Sequence, residues 1–400
     1  MKRSVGLVAC TVCAAFALSS LSLVGVESPQ TGGLKGARPT IDASKFPTIQ
    51  AALDALPATG GKVVLPAGEF EISEPLVLRT EDVCLEGAGT ATHIKNVNVD
   101  GKPALILVHP DGKQGRKNEL WRIHLTRFRI TGNAKSGHGI VALGINEIYI
   151  EGVTVSYHGG DGIVLDHCYE DPRVCDCLIT YNKGTGLNLL GCHDIVVSSN
   201  QFEENQDALH CFDGFNLCMT GNCLDDHLGR GVVIENTYGS VVSGNMIEEC
   251  KDAAIVLDRD CYGITLSANV IAHNGAGIDL IDAHGCTISA NTFTIMKTNA
   301  LRIGPNSGRI AVTGNSFSSS YIGDGKDKRR EDDRTAAGLV LSDTSDIGVS
   351  GNVFSGVGPR ALKLDGDKTK RIVFTGNVLT NVVSDHAEMK QSTIGDNLEP

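Results

Sequence analysis

Four hundred residues with 41% hydrophobic content can bury a large core, and the length suits two or three ordinary domains or one elongated repeat array. Glycine is abundant (47) and aromatic residues make up only 5%, a balance that favours tightly turned β-structure over helix bundles. The formal net charge of −12, with no basic stripe to reverse it, argues against nucleic acid as a partner.

In chain order, Lys2 and Arg3 precede an apolar run that ends near Val26. This is the n-region and h-region pattern of a signal peptide over residues 1–26, followed by a linker over 27–39. Ser19, Ser20 and Ser22 dilute the run as a membrane span, and no later segment is apolar enough to cross a bilayer. The reading is therefore a secreted, periplasmic or cell-surface protein without a membrane partner after cleavage. Of thirteen cysteines, Cys10 and Cys13 fall in the leader. The remaining eleven lack zinc-type spacing and are expected to be small core residues, with a few disulfides and at least one free thiol.

Residues 40–95 read as an N-terminal cap and first coils. FPTIQAALDALP (46–57) places Ile49, Ala52, Leu53 and Leu56 on one helical stripe ended by Pro57, and KVVLPAGEFEISEPLVL (62–78) then alternates as strands.

From 96 to 383 the chain repeats. A small residue followed by apolar–any–apolar recurs at GIVA (139–142), GIVL (162–165), GLNL (186–189), ALHC (208–211), GVVI (231–234), AIVL (254–257), GIDL (277–280) and ALRI (300–303), mostly 23 residues apart. A Ser/Thr–small–Asn signature runs in phase, from SSN (198–200) to TGN (375–377). Each period holds three short strands and three turns, and stacked coils at ~4.8 Å bury an inner row that one coil alone leaves exposed. The asparagines then form a ladder inside one turn. One step is longer; its insert, 318–336, centres on GDGKDKRREDDR and reads as a solvated loop. Residues 384–400 form a polar tail without the repeat.

These motifs resemble right-handed parallel β-helix proteins of the pectate-lyase and polygalacturonase superfamily, over roughly residues 40–383. The resemblance implies an all-β, single-stranded solenoid that acts as a monomer on an acidic, uronate-containing polysaccharide. In the polygalacturonase pattern Asn-x-Asp precedes the small–apolar–x–apolar strand. Asn205-Gln206-Asp207 before ALHC matches it, which gives Asp207 the part of a catalytic carboxylate. Gly229-Arg230 stands where paired aspartates belong, and Asp252-Ala253-Ala254 where Gly-His-Gly belongs. No Arg-x-Lys follows.

Aligning the coils on the small residue sends positions two and four outward and puts position minus one at a turn. Asp207, His210 and Arg230 then share one outer face with Asp161 and Glu235, combining carboxylate, imidazole and guanidinium. Asp207 is read as the acid/base, His210 as the proton shuttle and Arg230 as the anion stabiliser. His138, Asn188, Phe212, Asp258, Arg259 and Arg302 extend this face as substrate contacts. No metal is assigned, although Asp258, Asp279 and Asp282 offer oxygen ligands suited to Ca²⁺. Lyase, hydrolase and epimerase chemistry all stay open, beside a non-catalytic polysaccharide-binding or structural surface. The scarcity of outward aromatics besides Phe212 favours the latter.

Overall fold

A computed structural model describes residues 34–113, 117–319, 336–382 and 391–398. The expected leader lies outside the described residues, as do 320–335 of the charged insert. The architecture below begins at Arg38. Thr48 caps the helix α1 (Ile49–Asp54) by accepting from the Ala51 N–H at 3.0 Å, and Ile49, Ala52 and Leu53 turn inward. This is the stripe foreseen from the sequence, and it closes the first coil.

The later coils build three parallel sheets of 17, 13 and 12 strands, here the first, second and third sheets; two coils give two strands each to the first. In the third sheet Ile140, Ile163, Leu187, Leu209, Val232, Ile255, Ile278 and Leu301 lie in register and are fully buried. The repeating apolar positions are thus one continuous core wall. Phe293, Phe317 and Phe354 stack inside it at 4.8 and 4.5 Å.

The ladder explains the Ser/Thr–small–Asn signature. Asn222 donates from Nδ2 to Asn245 Oδ1 at 2.9 Å, and its own backbone N–H reaches the same oxygen at 3.0 Å. The pattern continues through Asn269, Asn291, Asn315, Asn352 and Asn377. The residue before each asparagine has positive φ (Gly244 68°, Ala268 54°), a conformation that glycine adopts without strain, which accounts for the glycines that recur at the middle position. Two features escaped the repeat search. Asn397, in the tail, adds a rung at 3.0 Å because Gly395-Asp396-Asn397 keeps the asparagine without the Ser/Thr. A second row, at another turn, runs through Asn182 and Asn205 to His227.

All eleven described cysteines are free, so the expected disulfides do not form among them. Seven are buried, as a small-core role requires.

Candidate functional site

The residues singled out above lie on the third sheet or in the turns that flank its strands, and their geometry separates them into groups. Position minus one is a row of caps. His138 Nδ1 accepts from the Asp161 N–H at 2.9 Å, Asp161 Oδ1 from the Thr185 N–H at 2.8 Å, and Asp207 Oδ1 from the Arg230 N–H at 2.6 Å. Each side chain satisfies a turn amide of the next coil, which would otherwise lack a partner. Asp161 also accepts from Asn188 Nδ2 at 3.1 Å. A side chain at position 229 would place its Cβ 2.5 Å from Asp207 Oδ1, so Gly229 makes room for that cap.

Asp207 corrects the sequence reading most directly. Although the alignment of the coils sets it on an outer face, it is only 7% exposed, and its Oδ2 meets Arg230 Nη2 at 2.8 Å. Arg230 therefore neutralises Asp207, and the proposed acid/base and anion stabiliser are one locked pair. The reason is local: the turn amide and the guanidinium come from the same residue, one coil away.

His210 and Glu235 do meet. His210 Nε2 lies 2.9 Å from Glu235 Oε2, while Glu235 Oε1 lies 3.1 Å from Arg259 Nε. The His210 Nδ1 has no hydrogen bond among the described residues. Arg259 also spans the Phe212 ring at 5.8 Å, which covers the face meant for a sugar. Asp258 accepts from the Arg259 N–H at 2.8 Å.

Further along the same face, Val233, Ala253 and Val256 are buried although they point outward, with Ala276 and Ile281 packed on them. A cavity of about 480 Å³ opens over this patch, with Arg230, Lys251, Lys297 and Asp279 among its walls. Asp279 Oδ1 is buried without a hydrogen bond, and Oδ2 stands 3.7 Å from Arg302 Nη1. Burial raises the Asp279 pKa; Arg302 opposes that shift and Asp258 adds to it. Neither Lys251 nor Lys297 pairs with a carboxylate among the described residues. A cavity of about 430 Å³ at Asn299, Arg302 and Lys363 continues the groove. Lys251 and Lys297 were missed because they lie outside the aligned outward positions.

Two rows lie elsewhere. At the corner between the third and first sheets, Tyr169, His193, Phe215 and Tyr238 follow one another at 5.1, 4.7 and 5.4 Å. Phe215 is 41% exposed, so outward aromatics are few but concentrated. Their constant offset of seven residues from the small residue was the available signal. At the edge of the second sheet, two groups each bring ligand atoms within 4.8 Å of one another: Glu248, Glu249 and His273, and Asp225, Asp226 and Glu249. Asp258, Asp279 and Asp282 form no such group, which corrects the Ca²⁺ ligand set read from the sequence.

The profile of a family described as a right handed beta helix region matches residues 83–239. The chain is a right-handed parallel β-helix. A second profile, described as periplasmic copper-binding protein (NosD), matches residues 183–327. No curated protein matches the chain in sequence. Among solved structures, this β-helix is similar to the A-module of a mannuronan C-5 epimerase from Azotobacter vinelandii, at 18% identity and TM-score 0.60, covering 89% of this chain and all of that one. It is similar also to a GH87 α-1,3-glucanase catalytic unit from Streptomyces thermodiastaticus, at 17% identity and TM-score 0.54, covering 92% and 70%. A surface adhesin of Streptococcus pneumoniae matches at 14% identity and TM-score 0.57, covering 84% and 92%. An epimerase, a glucanase and an adhesin share this fold, so the likeness speaks to architecture alone. No helix among the described residues is long and apolar enough to cross a membrane.

Proposed function

We propose that this is an exported, carbohydrate-active β-helix protein that acts on an acidic, uronate-containing polysaccharide along the outer face of its third sheet. The observation that carries this reading is a cavity on that face walled by Lys251 and Lys297, neither paired with a carboxylate among the described residues, in a chain of net charge −12. Arg230, Arg259, Arg302 and Lys363 stand along the same face, each beside a carboxylate: Asp207, Glu235, Asp279 and Asp365. The similarity to a solved mannuronan C-5 epimerase module supports the acidic substrate class.

Within the open chemistries, the locked Asp207 disfavours hydrolysis, which needs two available carboxylates. Elimination and C5 epimerisation need a base for the proton beside the sugar carboxylate, and His210, held by Glu235, supplies one. In elimination the C5–H electron pair becomes the C4–C5 double bond and the C4–O bond breaks, the departing oxygen taking a proton. In epimerisation a proton returns to C5 from the opposite side.

The description of the second profile raises copper. Burial pushes the thiols of Cys211, Cys250 and Cys261 up to about 12, and Cys261 Sγ donates to the Ile234 carbonyl at 3.3 Å. Neutral, enclosed thiols do not fit a metal that binds thiolate.

Alginate, polygalacturonate and hyaluronan, incubated with the full chain, test the reading by ultraviolet absorbance of unsaturated ends, reducing-end release and proton NMR of the uronates. Turnover of one polymer is expected, with His210→Ala slowing it by about 100-fold. Failure to turn over or retain any of them overturns the reading. The second reading, a binding surface, is favoured by the ion pairing of Asp207 and Glu235; it predicts saturable retention without turnover that survives His210→Ala.

A further inference from the structure

We propose that the cavity above Asp279 is a subsite for carboxylated sugars, in which Lys251 and Lys297 hold the carboxylates of a chain lying along the solenoid axis and Asp279 accepts from a sugar hydroxyl. This rests on the functional reading above and deepens it by giving these residues the sugar groups they hold.

The two lysines have a defined relation. Gly275 donates its N–H to the Cys250 carbonyl at 3.0 Å, and Lys297 donates to the Asn274 carbonyl at 3.1 Å. Lys251, Gly275 and Lys297 therefore occupy equivalent places on three successive coils. Gly275 puts no side chain between the two lysines, and their backbones are two coil rises apart, ~10 Å. That is comparable with the advance of two linked sugar rings, so alternate carboxylates of a uronate chain fall opposite the two lysines.

The rest of the cavity suits a pyranose. Val256, Ala276 and Ile281 give an apolar floor for the hydrophobic face of a ring, beside convergent polar groups. Asp279 lines this cavity; its Oδ1 is buried without a hydrogen bond, and its Oδ2 stands 3.7 Å from Arg302. Asp252 is the other acid lining the cavity, and Arg230 is already engaged by Asp207. The raised proton affinity of Asp279, caused mainly by burial, agrees with a carboxylate shielded from water.

Calorimetric titration of the full chain with the tetramers of galacturonate and mannuronate, against neutral maltotetraose, tests the inference. At least one carboxylated tetramer should bind and maltotetraose should not. The Lys251→Ala/Lys297→Ala variant should bind about tenfold or more weakly, with an unchanged melting temperature, and Asp279→Asn should also weaken binding. Lys135→Ala, remote on the surface, serves as the charge control. Wild-type binding that the double variant reproduces sinks the subsite and leaves the polysaccharide reading standing. Absence of binding to both carboxylated tetramers, with polymer still turned over, also sinks the subsite alone. Loss of both tetramer binding and polymer turnover removes the two together.

Discussion

The outer face of the third sheet has two halves that differ in how their charges are spent. From Asp161 to Glu235 the charged groups of the candidate site meet partners on neighbouring coils: Asp161 with Asn188, Asp207 with Arg230, His210 with Glu235, and Glu235 in turn with Arg259. From Lys251 to Lys297 the lysines stand unpaired among the described residues, above a carboxylate with one oxygen unused. The first half looks reactive in the sequence because it mixes residue types, yet much of that mixture closes on itself. The second half looks ordinary in the sequence and keeps its hydrogen-bonding capacity for something outside the chain. In a solenoid, reactivity is decided by the coil above and the coil below.

The comparison holds only while the coils stay stacked, so acid is the strongest way to break it. His158 and His227 are buried, and burial lowers both from 6.5 to about 4. The unfolded chain then binds more protons than the folded one, so stability is full above pH 6.5 and falls as pH drops towards 4. At pH 5 each histidine should cost about 2 kcal/mol relative to pH 7, measured by urea unfolding. His227→Asn places an ordinary rung in the second row and should remove about half of that loss. An identical pH dependence in the variant would show that His227 is not buried neutral.

The second largest effect separates the two halves. Arg230→Ala leaves Asp207 buried with only its backbone partner and should cost about 2 kcal/mol in the same assay. A cost below ~0.5 kcal/mol would mean that the pair is solvated and the first half is not closed. The smallest effect sharpens the other side. Lys297→Ala should change stability by less than ~0.5 kcal/mol, since its ammonium holds nothing in the chain. A larger loss would reveal an internal partner and make the second half resemble the first.

The fold was legible because its rule is local and repeated. Asn245 and Asn269 each follow a residue that tolerates positive φ, and the period tells which residues stack. The site was legible only as a face. Asp207 matches a catalytic motif and is also a turn cap, and the residue it caps, Arg230, is the one assigned to help it. Asp279 reads in the sequence only as an oxygen ligand beside Asp258 and Asp282, because nothing there shows that Val256 and Ile281 line the same cavity. The aromatic row was missed for a simpler reason. Composition counts Tyr169, Phe215 and Tyr238 as scarce, whereas offset places them together.

The ladder also governs how such a molecule can change its size. Asn315 reaches Asn352 at 3.0 Å across 37 residues of chain, as readily as rungs 22 residues apart. Added sequence is admitted when it leaves and rejoins the winding at the same level, or when it supplies a whole new storey with its own rung. A fraction of a coil would throw every later asparagine out of line. Growth of this architecture is therefore quantised, and decoration of its sides is free.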